Sequence, residues 1–260
     1  MEVFMRLFGL FAVVCLIVTG PAGAQGIGPG GAVPAVANLP GLSGSFWQSD
    51  VIIHNPGETQ ISVRLLLFPE IRNGGPEFEP LVSDSMSIPA LGQKTFSNVV
   101  QSVFGKINAK GALSVISEDG SPIVIGSRTY TFGLDGGTYG QEVFGVLVSD
   151  RAWAAGAEND SLYRTNIGVY LPVAPAQGST IDFEVIVRDP TGAEVGRGTM
   201  EFPAAGMQQK NLSFVGADQL LAGSVEVICS DPSFFWYGYI SRIDQISGDA
   251  VFRPLRGMGF

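Results

Sequence analysis

The chain has 260 residues, of which 45% are apolar, 10% aromatic and only 15% charged, and its net charge is −9. That is enough apolar material for one or two cored domains and too little charge for a disordered chain. No cluster of Lys or Arg offers the basic face that displaces counterions from phosphate, which excludes nucleic acid and disfavours an anionic membrane surface.

The N-terminus has the three parts of an export signal. Arg6 is the basic residue of a short leading region, residues 7–19 are almost wholly apolar, and Ala22 and Ala24 satisfy the small-x-small rule for cleavage after Ala24. The apolar stretch is short for a span of about 20 residues, so residues 1–24 are expected to be a removed signal peptide, leaving no membrane span in the mature chain. Cys15 lies inside the apolar stretch rather than at its end, which argues against a lipoprotein. Its loss leaves Cys229 alone, in a strand-like setting, as a small core residue without a disulfide. Residues 25–33 are Gly-rich and read as a flexible leader.

Strand signals follow. Residues 46–54 and 60–68 come first; in the second, Ile61, Val63, Leu65 and Leu67 recur with a period of two and share one face. Asn73, Gly74, Gly75 and Pro76 break the chain. Residues 85–88, 112–117, 123–131 and 138–146 are further strands, and residues 99–104 suit one helical turn or a loop. Asp135, Gly136 and Gly137 mark a turn. After residue 160 come strands over 162–171, 180–188, 193–202, 223–229, 234–243 and 250–255. Asp189, Pro190, Thr191 and Gly192 form a type I turn with Pro second and Gly fourth. Short alternating segments joined by turns argue for a sandwich or barrel.

The second half repeats the first. Trp47, Ser49, Asp50, Val51 and Pro56 lie over Tyr163, Thr165, Asn166, Ile167 and Pro172 at an offset of 116. Residues 85–92 match 199–206 at 114, residues 111–116 match 223–228 at 112, and Ser127 and Arg128 match Ser241 and Arg242 at 114. The blocks stay in order while the offset drifts, as loop insertions would cause. Each unit spans about 110 residues, the size of one immunoglobulin-like sandwich. The expected division is 1–24 signal, 25–33 leader, 34–150 first module and 151–260 second, with the boundary near residues 148–157. The pattern resembles secreted bacterial proteins built from tandem immunoglobulin-like β-sandwich modules. That resemblance implies an all-β architecture and leaves the strand topology open, because the Cys…Trp…Cys core of antibody domains is absent.

Candidate chemistry is sparse. His54 is the only histidine, and Asp50 on the same strand lies about 13 Å away at 3.3 Å per residue, too far for a base and its orienting acid. One histidine and one mature cysteine do not make a zinc site. The acidic turns at Glu118 and Asp119, at Asp135, and at Glu158 and Asp160 lack calcium-loop spacing, and turn chemistry explains them equally. No metal, cofactor or catalytic set is expected. The richest surface candidate is the aromatic run over residues 234–240. Phe235, Tyr237 and Tyr239 share one strand face, with Phe234, Trp236 and Ile240 on the other. Either the strand is buried on both sides, the favoured reading, or an exposed row could stack on sugar rings or dock a partner.

These features lead to the expectation of a non-enzymatic exported module for adhesion, matrix or spacing, secreted or in the cell envelope, with another envelope or extracellular protein, or a glycan, as partner. The alternatives are a carbohydrate-binding module using Phe235, Tyr237 and Tyr239, and a secreted hydrolase of unrecognised type.

Overall fold

The computed structural model describes residues 28–41, 44–71, 79–133 and 136–258. The expected export signal with Cys15, the break at residues 73–76, and Asp135 lie outside them. The described chain is all-β, built from several antiparallel sheets.

The first half runs β1 (Gly30–Pro40), β2 (Phe46–His54), β3 (Ile61–Pro69), β4 (Leu81–Val82), β5 (Met86–Ile88), β6 (Gln93–Phe96), a single helical turn α1 (Val99–Ser102), β7 (Ala109–Ser117), β8 (Val124–Phe132) and β9 (Thr138–Glu142). In one layer β1, β7 and β3 lie side by side, with β4 and β5 on the far edge of β3. In the other, β2 sits between β6 and β8, and β9 follows β8. The bulged β1 joins the layers, pairing with β7 along most of its length and with β2 at its end. Between the layers lie Val51, Ile53, Val63, Leu65, Leu113 and Val115, the inward members of their alternating strands.

The second half runs β10 (Leu147–Val148), β11 (Arg151–Asn159), β12 (Tyr163–Leu171), β13 (Ile181–Arg188), β14 (Glu194–Phe202), β15 (Gly206–Asn211), a 3-10 turn (Leu212–Val215), β16 (Leu220–Cys229), β17 (Trp236–Asp244), β18 (Ala250–Pro254) and β19 (Arg256–Gly257). The turn between β13 and β14 forms as its residues dictate. Gly192 donates to the Asp189 carbonyl at 3.0 Å, and the Asp189 carboxylate accepts from Thr191 N at 2.8 Å.

The pairing repeats that of the first half. One layer is β11, β16, β13, β14, and the other is β15, β12, β17, β18. The registers coincide as well. Val63 opposes Met86 and Phe183 opposes Met200; Arg64 opposes Ile116 and Glu184 opposes Ile228. Those positions carry the 114 and 112 offsets read in the sequence. The match of Ser127 and Arg128 with Ser241 and Arg242 needs correction. Asp50 opposes Arg128, whereas its counterpart Asn166 opposes Ser241, so Ser241 occupies the place of Arg128. A slip of one residue would turn every side chain of β17 to the wrong face.

One further expectation is revised, and the strand topology left open by the sequence is answered. Residues 30–33, read as leader, are the first part of β1, and Val33 is 1% exposed in the core. Four small residues in a row hid the strand. The strand order also differs from that of immunoglobulin domains, where the first, second, fourth and fifth strands share a layer. Here β11 and β12, the first two long strands of the second half, lie in different sheets.

Both halves hold the same buried polar joint. Asn38 donates to the Lys106 carbonyl at 2.9 Å and accepts from Asn98 Nδ2 at 3.1 Å. Asn159 donates to the Ala217 carbonyl at 2.8 Å and accepts from Asn211 Nδ2 at 3.1 Å. Nearby, Ser49 Oγ accepts from Ala37 N and its match Thr165 Oγ1 accepts from Glu158 N. The hydroxyls thus satisfy backbone N–H groups of the bulged first strand, and the asparagines on that strand satisfy carbonyls of the loop before the neighbouring strand. A repeated turn follows β7 and β16: Asp119 accepts from Ser121 N, and Asp231 accepts from Ser233 N.

The halves pack directly on each other. The outward face of β12, β15 and β17 covers the outward face of β1, β3 and β7, enclosing Ala32, Leu66, Phe68, Ala112, Ile116, Tyr170, Ala205 and Met207. Tyr170 packs its ring 5.2 Å from that of Phe68, and its hydroxyl is 2.7 Å from Ser114 Oγ. At the margins Ile71 N donates to the Met207 carbonyl, and Gln141 and Ser241 bond side chain to side chain. The link between halves is itself fixed, since β10 pairs with β17 and Gly145 N donates to the Ala32 carbonyl.

Two outcomes follow from this packing. Asn38→Ala and Asn159→Ala should each lower unfolding free energy by about 1–3 kcal/mol in urea titrations, because each strands buried partners. Cys229 is buried in the second core, its thiol pushed up by that burial while Sγ donates to the Asp231 carbonyl. In a chain expressed from Gln25, a thiol reagent such as Ellman's should leave the native protein unmodified and react promptly once denaturant is added.

Candidate functional site

The aromatic run of the sequence divides among three environments. Phe235 precedes β17 and is 40% exposed. Tyr237 is half-buried, its ring stacked on Tyr170 at 5.7 Å, and burial pushes its hydroxyl up to about 12. Tyr239 is 1% exposed, stacked on Phe252 at 5.1 Å, and donates its hydroxyl to Gln209 Oε1 at 2.7 Å. Burial raises its pKa well above the ordinary phenol value. Its ring lies flat against Gly168, where a Cβ would come within 2.1 Å of it. On the opposite side of β17, Trp236 and Ile240 sit fully buried in the second core. The strand is therefore buried on both sides, and the three residues do not form an open row.

The other sequence candidates are held by local bonds. His54 is half-buried and its Nδ1 is 2.9 Å from the Gly92 carbonyl, a contact that makes Nδ1 the donor. The Asp50 carboxylate instead accepts from Asn98 N and Tyr130 OH. His54 and Tyr170 match in sequence yet differ in setting, one over a loop and the other sealed between halves. Glu118 bonds to Ser85 and Arg64, which with the Ser85 contact foremost holds its carboxyl below the usual range. Asp119 is lowered chiefly by Ser117, and Asp160 accepts from Leu162 N and Tyr163 N. These are turn and ion-pair contacts. Among the described residues no three His, Cys, Asp or Glu side chains gather as a metal site would require.

A feature that the sequence did not point to lies where β11, β18 and β19 meet the link. It is a cleft of about 580 Å³ whose walls include Phe144, Trp153, Phe252, Arg253, Pro254 and Arg256. Trp153 is half-buried on β11 with Arg256 opposite it on β19. Phe252 presents one ring face to Tyr239 and packs at 5.7 Å against Phe144. Arg253 is pinned by hydrogen bonds to the carbonyls of Ala155 and Gly156, at 3.2 and 2.7 Å. Gly156 has φ +79°, and a Cβ there would occupy the guanidinium's place, 2.0 Å from Nη1. These side chains come from segments spread between Phe144 and Arg256, so no local motif announced them.

No protein-family model and no characterised protein matches the sequence. Among solved structures, the chain is similar to Thermotoga maritima 1070 at 9% identity and a TM-score of 0.36, over 43% of this chain and 97% of that one. It is similar to a putative beta-galactosidase from Bacteroides fragilis at 9% identity and 0.21, over 81% of this chain and 32% of that one. For an exo-chitosanase from Amycolatopsis orientalis the values are 12% and 0.24, over 79% and 25%. The chain thus spans about a third and a quarter of the length of those two proteins, and likeness at this level says nothing of activity.

The burial of the aromatic strand has a measurable consequence. Tyr239→Ala should destabilise the protein by about 3–5 kcal/mol, the cost of truncating a large buried ring. Phe235→Ala should change stability by no more than about 0.5 kcal/mol. Urea unfolding of the two variants beside the parent chain distinguishes them.

Proposed function

We propose that this protein is a non-enzymatic exported module of the cell envelope or extracellular space, in which two tandem immunoglobulin-sized β-sandwiches act as one rigid unit for spacing or interaction. In this reading residues 1–24 direct export and are removed, and the mature chain begins at Gln25. The observation that carries it is the contact between the halves. A flexible tether is the default between domains that touch through small polar interfaces. Here an apolar face of one half is matched to a tyrosine-rich face of the other, and the link adds a strand to the second half. That construction fixes the separation and orientation of whatever the two ends hold.

The hydrolase alternative has less support. The carboxylates of the acidic turns are engaged by turn backbone or by arginine, and His54 and Asp50 are bonded to different partners.

The processed protein, incubated with bacterial cell envelopes and washed, should be retained on them. A broad panel of glycosidase, esterase and peptidase substrates should remain unconverted. Loss of all retention, or turnover of any substrate that tracks with the purified chain, would overturn the proposal.

A further inference from the structure

The geometry points to the cleft between β11, β18 and β19 as a binding site for an acidic saccharide, a uronic-acid-containing glycan. This goes beyond the spacing role proposed above by giving the rigid unit a ligand.

Three observations converge on it. The first is charge. The chain carries a net charge of −9, yet among the described residues no acidic side chain lines the cleft, and two arginines do. Among the described residues Arg253 is held by backbone carbonyls alone, so its charge is positioned but not neutralised there. Arg256 is exposed and has no carboxylate partner among the described residues. Such a pair complements a carboxylate, which a guanidinium fork grips through two parallel N–H bonds.

The second observation is the apolar wall. Trp153, Phe144 and Phe252 are all half-buried rings, and Pro254 continues the surface. The face of an aromatic ring is electron-rich, so it attracts the partly positive C–H hydrogens on one side of a pyranose. Trp153 also has an indole N–H without a protein partner among the described residues, free to donate to a sugar hydroxyl. A uronic acid unit supplies all three features together: a C–H face, hydroxyls and a carboxylate. An acidic peptide carries its carboxylates on flexible stems and has no such face.

The third observation is the internal comparison. In register, Trp153 opposes Glu226 on β16 just as Ala32 opposes Ser114 on β7. Ala32 is sealed in the contact between halves. A large aromatic residue stands at this place only in the half where the face is open. Nothing in the packing of the second core demands it, since Ala152 and Ala154 beside it fill the interior.

Isothermal calorimetry with the processed protein tests the inference. The probes are a galacturonic acid hexamer, the same hexamer with its carboxylates reduced to alcohols, and a polyglutamate peptide of equal charge. The acidic hexamer should bind, and the reduced hexamer and the peptide should each bind at least about tenfold more weakly. Arg256→Gln and Trp153→Ala should each weaken the acidic hexamer by about tenfold or more. Both side chains reach solvent, so their thermal midpoints should stay within a few degrees of the parent. Absence of binding by the parent protein overturns the inference. So does equal binding of the reduced hexamer or of the peptide, or binding that neither substitution weakens. Failure here leaves envelope retention as a separate result, so the two proposals fall independently.

Discussion

The architecture depends on one contact, the burial of a tyrosine-bearing sheet face against an apolar sheet face. Each sandwich has a core between its layers and two outward faces. Covering one outward face of each half removes apolar surface from water, at about 25 cal/mol per Å². It also brings the Tyr170 hydroxyl to Ser114 across the contact, while the Tyr239 hydroxyl bonds to Gln209 within its own sheet, so the polar tips of the buried rings remain satisfied. The direct inter-half bonds at Ile71 and Gln141 then close the margins around the buried centre.

That contact explains where the two halves diverge. On the covered face of the first half stand Ala32, Ser114, Leu66 and Phe68; at the matching places in the second half stand Trp153, Glu226, Ile186 and Arg188. The uncovered version carries Glu226 between Arg151 at 3.0 Å and Arg188 at 3.4 Å, and a second group in which Arg197 pairs with Glu184 and Glu194. The tyrosine face shows the reverse. Where the second half places Tyr170, Gly168 and Tyr239, the first places His54, Ile52 and Gly126, and the face carries Asp50 and Arg128 as well. Meanwhile Asn38 and Asn159, Ser49 and Thr165, and the turns at Asp119 and Asp231 keep their roles. Interior joints are the same in both halves because both must tie the same bulged first strand to its neighbours and close the same turn. Outer faces differ because only one of each kind is covered.

The sequence was legible where local chemistry decides structure. Strict alternation placed β3 and β13, turn residues placed the β13–β14 hairpin, and ordered matches at 114 and 112 gave the true registers. It was not legible where composition runs against strand propensity. The first part of β1 is Gly, Ala and Val, β11 is largely alanine, and β15 is mostly polar, so none shows the β-branched alternation that marks a strand. The burial of Leu66 and Phe68 on the supposedly outward side of β3 could not be read either, since it depends on another sheet arriving there. The same holds for Tyr237 and Tyr239. An aromatic row covered by a neighbour and one offered to solvent are identical in sequence. The cleft residues were invisible for the related reason that Phe144, Trp153 and Arg256 belong to three separate segments.

The divergence of the outer faces also bears on whether the contact between the halves can be repeated on the free faces. A contact between unlike faces is heterologous, and repeated copies of such a contact extend without limit unless the ends are made incompatible. Had the second half kept Ser114, Leu66 and Phe68 at the places of Glu226, Ile186 and Arg188, it would offer the tyrosine face of another chain a ready seat. Glu226 is nearly buried and paired on both sides, so a ring arriving on it would break ion pairs without replacing them. At the other end Asp50 is bonded to Asn98 and Tyr130, which blocks a flat apolar approach in the same way. The charges on the two free faces thus oppose a second contact of the kind that joins the halves.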